Sequence, residues 1–207
     1  MGSEGTRRKI LDAALHLFNE ADTQRASTNH IARAAGVSPG NLYYHFRNRE
    51  EIIRALYAMM TEKIGFAQKP LPDTMCQLKL YCSFVSDVWW EYRFFRRELI
   101  FLMKRDPALE QAVVRDNRLQ HSKFLALVEK LRDEGYILLP NDDTIELLAD
   151  TAMLYSQFWT PYLMSLGNSV TAPAVRMVSE RIMDLFGPYL SEKAKRELAD
   201  CYTKSTQ

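Results

Sequence analysis

Apolar residues recur three and four positions apart along almost the whole chain, and Gly and Pro fall between these periodic segments, not inside alternating ones. A chain patterned this way buries one stripe of each helix. No stretch reads as a strand, so the predicted fold class is all-α. With 207 residues, 47% of them hydrophobic, the chain is long enough for one large domain or for a small domain plus a medium one. Its densest apolar run, Leu99 to Met103, is flanked by charge and far shorter than the roughly 18 residues of a membrane span, so no membrane partner is expected.

The punctuation sets the predicted helices. A first helix runs from about Thr6 to Glu20 with Ile10, Leu11, Ala14, Leu15 and Phe18 on one face. A short second helix starts at Ser27 or Thr28, both natural N-caps, and stops at Gly36. A third follows at once, with Ser38 as cap and Pro39 at the first position, where a missing N–H costs nothing, and ends near Phe46. Asn48 with Glu51 three residues on resembles a capping box for a fourth helix, Arg49 to about Ile64, closed by Gly65, Pro70 and Pro72. Further helices are expected near 73–90, 91–104, 107–134, 142–166, 171–187 and 191–203. This divides the chain into a helix-turn-helix domain over 1–50, a linking helix over 49–65, and a larger helical domain over 66–207.

Helix, glycine turn and second helix from Ser27 to Phe46 have the form of a helix-turn-helix. At 100° per residue the third helix points Leu42 and Phe46 one way and Tyr44 directly opposite, with Gly40 and Asn41 beside it and Tyr43 and His45 on the flanks. A seven-residue helix with two core anchors and so many exposed polar and aromatic groups uses its surface poorly unless that face meets a partner. The residue types suit a nucleic-acid groove. Asn41 can pair bidentately with an adenine edge, Gly40 allows close approach, and the Tyr and His tips can reach phosphate oxygens. Charge adds a small push: residues 1–50 carry seven Lys/Arg against five Asp/Glu, in a chain of formal net charge +1.

The run from Ser27 to Glu50, Ser-Thr-Asn-His-Ile-Ala-Arg-Ala-Ala-Gly-Val-Ser-Pro-Gly-Asn-Leu-Tyr-Tyr-His-Phe-Arg-Asn-Arg-Glu, resembles the DNA-binding signature of the TetR/AcrR family of transcriptional regulators. The resemblance covers roughly residues 6–53, including the preceding helix. It implies that Thr28, Tyr43, His45 and Arg49 contact phosphates of double-stranded operator DNA, and that Ser38, Pro39, Gly40, Asn41 and Tyr44 face the major groove. Pro39 and Gly40 bring no polar side chain, so base reading leans on Asn41, Tyr44 and Asn29. Ser38 is a helix cap whatever else it does, and Tyr43 can pack its ring on the core while exposing its hydroxyl.

Beyond residue 66 the aromatic load is high, from Tyr81 to Phe101 and again from Tyr155 to Tyr162. Aromatics at helical spacing fill a core, or some of them line a cavity for an apolar ligand. In the family the small-molecule effector sits in such a cavity. The resemblance therefore puts forward Phe84, Trp89, Phe101, Phe124 and Phe158 as ligand-binding residues, with Asn117, His121 and Gln157 as polar partners. Arg93, Arg96 and Arg97 form a basic cluster that can pair with Glu91 and Glu98 or meet an anionic ligand. The helices near 142–166 and 171–187 resemble in position the family's dimerisation helices, and both carry broad apolar faces, so a homodimer is expected.

Competing readings lack support. Gly36-Val37-Ser38-Pro39-Gly40 spells the nucleophile elbow of hydrolases, but an alanine-rich helix precedes it where that motif needs a strand. His16, His30 and His45 are not at metal-ligand spacing, and no paired carboxylates, phosphate loop or nucleophile constellation occurs, so no enzyme, no cofactor and no metal are expected. An architectural DNA-binding protein would account for the first 50 residues but not for the aromatic-rich remainder. Met1-Gly2-Ser3-Glu4-Gly5-Thr6 formally matches an acylation signal, yet it leads straight into charged, periodic sequence, and a cytoplasmic protein is predicted. Cys76, Cys82 and Cys201 are an odd number without zinc-site spacing. Cys76 and Cys82 are separated by a rise of about 9 Å on one helix, so buried free thiols are expected.

Overall fold

The computed structural model describes residues 3–204, without the side chains of 202–204; Met1 and Gly2, where the acylation motif begins, lie outside the described residues, as do residues 205–207. Among the described residues there are ten α-helices: α1 (Ser3–Glu20), α2 (Thr28–Ala34), α3 (Pro39–His45), α4 (Arg49–Ile64), α5 (Met75–Glu91), α6 (Arg93–Arg105), α7 (Pro107–Asp133), α8 (Asp143–Ser165), α9 (Ala172–Phe186) and α10 (Glu192–Lys204). A 3₁₀ turn, Gly187–Tyr189, follows α9, and among the described residues the extended pairing amounts to one isolated antiparallel bridge between Ile137 and Leu190. The all-α reading holds, and the helix limits agree with the caps.

The helices form two compact units, and the division is not the one the sequence suggests. The first unit holds residues 1–65 together with 92–113, and the second holds 66–91 together with 114–207. Helix α6 and the first turns of α7 thus belong with the helix-turn-helix. The physical reason lies in α6, which spends its apolar face and its cations on α1 and α4. Phe94 packs on Phe18 with ring centroids 5.3 Å apart, and Phe95 meets Tyr57 at 5.2 Å. Arg93 pairs with Glu20 at 2.7 Å, while Arg97 turns inward to the carbonyls of Phe18 and Ala21. Arg93 and Arg97 therefore do not present a basic surface patch.

Asp106 joins α6 to α7. It is buried, accepts the N–H groups of Ala108 and Leu109 at the start of α7, and pairs with Arg54 of α4 at 2.5 Å. A carboxylate at a helix N-terminus satisfies two orphan donors and meets the positive end of the helix dipole.

In the second unit α9 packs along both α5 and α8, and α10 lies against α5. Val175, Val178, Ile182 and Phe186 give α9 its buried stripe. The expectation of three free thiols fails here: Cys76 of α5 and Cys201 of α10 form a disulfide, with Cα atoms 5.9 Å apart, and Cys82 alone is a free, buried thiol. The helical-rise argument excluded only the Cys76–Cys82 pair. It could not see that α10 returns to α5 from 125 residues away. Burial pushes the Cys82 thiol up to about 12, which leaves it protonated and inert at neutral pH.

Candidate nucleic-acid interface and an apolar cavity

The recognition segment is built by local hydrogen bonds. Ser27 caps α2 by accepting the N–H of His30 at 3.2 Å, and Ser38 caps α3 by accepting that of Asn41 at 3.2 Å. Between the helices Gly36 has φ of 66°, a left-handed conformation that a side chain at this position would oppose. Asn48 caps α4 through the N–H of Glu51 at 2.9 Å, and the Glu51 carboxylate reaches back to the N–H of Arg47 at 2.8 Å. These caps fix where α3 starts and how it is aimed.

Burial then divides α3 as the 100° spacing requires. Leu42 is fully buried, Phe46 at the C-cap is buried beneath the Arg7 guanidinium, and Tyr44 is 78% exposed. Pro39, Gly40, Asn41 and Tyr43 are exposed as well, as are Ser38 just before α3 and Asn29 on α2, while Thr28 and His45 are half-buried. The Tyr43 hydroxyl and the Thr28 hydroxyl lie 3.1 Å apart. Two side chains expected at the phosphate backbone are thus brought together from α2 and α3, their remaining lone pairs and protons facing water. Arg49 behaves differently from expectation. Its guanidinium is turned to the Thr23 carbonyl at 2.8 Å and lies 3.7 Å from Glu50, so it holds the loop after α1 instead of reaching outward.

The second unit contains a separate cleft; the space between its walls, open solvent included, is about 720 Å³. Its walls are apolar side chains of α5, α7, α8 and α9, among them Val85, Trp89, Phe124, Leu127 and Ile182, and its mouth is the Phe66–Pro72 segment. Of the residues expected to bind a ligand, Trp89 and Phe124 line this cavity. The others do not. Phe101 belongs to the first unit, where Arg105 lies over its ring. Phe158 is 43% exposed on the outside of α8. Asn117 and Gln157 bond one another at 2.9 Å, His121 pairs with Asp150 at 2.9 Å, and Phe84 is exposed beneath the Lys69 ammonium. Sequence spacing marks such residues as helical but cannot say which side of a helix faces a hollow. It also passed over Lys69, Tyr81 and Lys123, polar groups among aromatics whose signal was composition, not spacing.

A short capped helix with an outward polar and aromatic face, set after a glycine turn, defines a helix-turn-helix DNA-binding protein. The comparisons carry this further: the chain belongs to the TetR family of bacterial transcriptional regulators. The family model described as "Bacterial regulatory proteins, tetR family" matches residues 10–56, and that described as "Bacterial transcriptional repressor" matches residues 49–198. A solved TetR-family transcriptional regulator from Marinobacter aquaeolei VT8 superposes with a TM-score of 0.83 at 30% identity, covering 95% of this chain and 97% of that one. Curated relatives match over shorter stretches. AcrR of Shigella flexneri is 35% identical over 63 residues, 30% of this chain and 29% of its own length. The A-factor receptor protein of Streptomyces griseus is 37% identical over 67 residues, 32% of this chain and 24% of its own length. The match thus spans less than a third of the length of each of these two relatives. The SmeT–triclosan complex shares the fold, with a TM-score of 0.61 at 19% identity over 91% of this chain and 93% of that one.

Proposed function

We propose that this protein is a ligand-responsive repressor that binds a palindromic operator as a homodimer and is released by a small, largely apolar effector. The observation that carries the reading is α3 itself: one fully buried leucine anchors a helix whose opposite tyrosine is 78% exposed, a surface with no use in the isolated chain. The receptor name of the Streptomyces griseus relative and the triclosan bound to SmeT support an effector, and the cavity of the second unit is where this chain would hold one.

The dimer follows from α8. Leu147, Leu154, Phe158 and Tyr162 are exposed and fall on one stripe of the helix, with Met177 of α9 exposed as well. A contiguous apolar face of this kind is buried in an assembly. Phe158 is better explained as part of it than as a ligand contact. Sedimentation at micromolar concentration should give a dimer, and Phe158→Glu should shift it to a monomer; a wild-type monomer would count against the reading.

In such a dimer the two α3 helices must sit about 34–36 Å apart, or a multiple of one turn, to enter major grooves on one side of the DNA. Helix α4 ends at Gly65, and the next residue, Phe66, already lines the cavity. An occupant that shifts the Phe66–Pro72 segment therefore pulls on the end of α4, and with it on α3 spacing. The coupling is reciprocal, so operator DNA must weaken the effector by the same factor. Titration of effector with and without saturating operator tests this, and equal affinities would sink the mechanism.

Base reading rests on Asn41. Asn41→Ala should relax discrimination at one position per half-site by about 1–3 kcal/mol, with the fold intact because the side chain is exposed. Mobility-shift competition with single-base operator variants measures it, and unchanged discrimination would show that Asn41 does not read a base.

A further inference from the structure

The effector cavity has a polarity that the reading above does not use. Its walls are apolar, but the charged groups on them are two ammoniums, Lys69 and Lys123, and no Asp or Glu is among its lining residues. Nor does either lysine make an ion pair with a carboxylate among the described residues. Lys123 donates to the carbonyls of Phe66 at 2.7 Å, Ala67 at 3.1 Å and Lys69 at 3.3 Å, so all three of its N–H groups are spent on the mouth segment. It supplies fixed positive charge and no free donor. Lys69 is different: its ammonium rests on the Phe84 ring, 4.5 Å from the centroid, and makes no hydrogen bond. A cation held only by a ring face is free to swing toward an anion.

Deeper in, the Tyr81 hydroxyl is buried and has no hydrogen-bond partner. Burial first, and the neighbouring Cys82 second, push this phenol above its usual range, so it stays a neutral O–H and can donate. A buried hydroxyl left without a protein partner is unusual, and it is available to donate to a ligand atom. The uncharged polar groups on the wall do not alter the balance, since Ser156 already donates to the Met153 carbonyl at 2.9 Å and Gln120 is neutral.

We propose that the cavity takes an apolar molecule ending in a single carboxylate, with one carboxylate oxygen received by the Tyr81 hydroxyl, the other by the Lys69 ammonium, and Lys123 supplying fixed positive charge. The proposal rests on the reading of this cavity as the effector site. Two free donors match the two oxygens of a carboxylate. A lipophilic cation would face two ammoniums, and a neutral molecule would gain nothing from their charge. The tail lies along Val85, Trp89, Phe124, Leu127 and Ile182, with Met153 adapting to its length.

Calorimetric titration of the full chain, without DNA, with decanoate, 1-decanol and decyltrimethylammonium tests the assignment, because the three share a tail and differ in charge. Decanoate should bind about tenfold or more tighter than the alcohol, and the cation weakest. Lys69→Gln, at an exposed side chain, and Tyr81→Phe, which removes one oxygen, should each narrow the gap between acid and alcohol. Equal binding of acid and alcohol, preference for the cation, binding of none of the three, or an acid preference that survives both variants would overturn the proposal. Operator release is read separately in a mobility shift. A chain that prefers decanoate in this way yet holds its operator regardless keeps the ligand class and loses the repressor mechanism.

Discussion

Arg97→Met is expected to destabilise the first unit strongly, and to weaken operator binding with it, without touching α3. Arg97 is only 19% exposed, and its guanidinium donates to the carbonyls of Phe18 at 2.7 Å, Asn19 at 3.3 Å and Ala21 at 2.6 Å. These are the last carbonyls of α1 and the residue after it, and α1 has no basic residue of its own in its final turn. A side chain from α6 therefore does the work of a C-cap. The same guanidinium pairs at 2.8 Å with Glu98, whose side chain is 10% exposed and accepts both the N–H and the hydroxyl of Thr23. Methionine keeps the aliphatic stem but orphans the carbonyls and leaves Glu98 as a buried charge without its cation. Breaking such a pair costs about 3–5 kcal/mol, a large part of the 5–15 kcal/mol that typically holds a domain together. Denaturant unfolding would measure it. A loss below about 1 kcal/mol, the size of a surface pair, would show that Arg97 is not structural.

The second large effect belongs to the Cys76–Cys201 bond. It closes a sequence separation of 125 residues, and the chain-entropy account of such a loop gives a stabilisation of about 5 kcal/mol, an upper figure since engineered and native bridges often deliver less. Cys201→Ser should lower the unfolding midpoint of the second unit substantially, and reductant should do the same to the wild type while leaving the variant unmoved. Alkylation after denaturation without reductant should label one cysteine, Cys82, and with reductant all three. Labelling of three without reductant would mean that the bond does not form in solution.

These two predictions also mark the boundary of what could be read in advance. The helices and their ends were legible because caps act within three or four residues: Ser27 on His30, Ser38 on Asn41, Asn48 on Glu51. The outward face of α3 was legible for the same reason, since the direction of a side chain on a helix follows from its position alone. Arg97 and Cys201 could not be read this way. Each acts on a partner 76 to 125 residues away, and nothing local says that α6 lies on α1 or α10 on α5.

The ligand side shows the limit most sharply. Aromatic spacing correctly announces helices with broad apolar faces, but a helix buried on two sides has no single inward direction. Trp89 and Phe124 turned to the cavity, Phe158 to the outside, and Phe101 to the other unit. What the amino-acid sequence determined by itself is the all-α class, the helix limits and the outward polar and aromatic face of α3, because each depends on hydrogen bonds and side-chain directions spanning a few residues. What only the tertiary structure decided is the discontinuous units, the trans cap at Arg97, the disulfide, the inward turn of Arg49 and the polarity of the cavity. Those depend on which helices meet, and that is settled by the collective packing of apolar faces, which no single stretch of chain encodes.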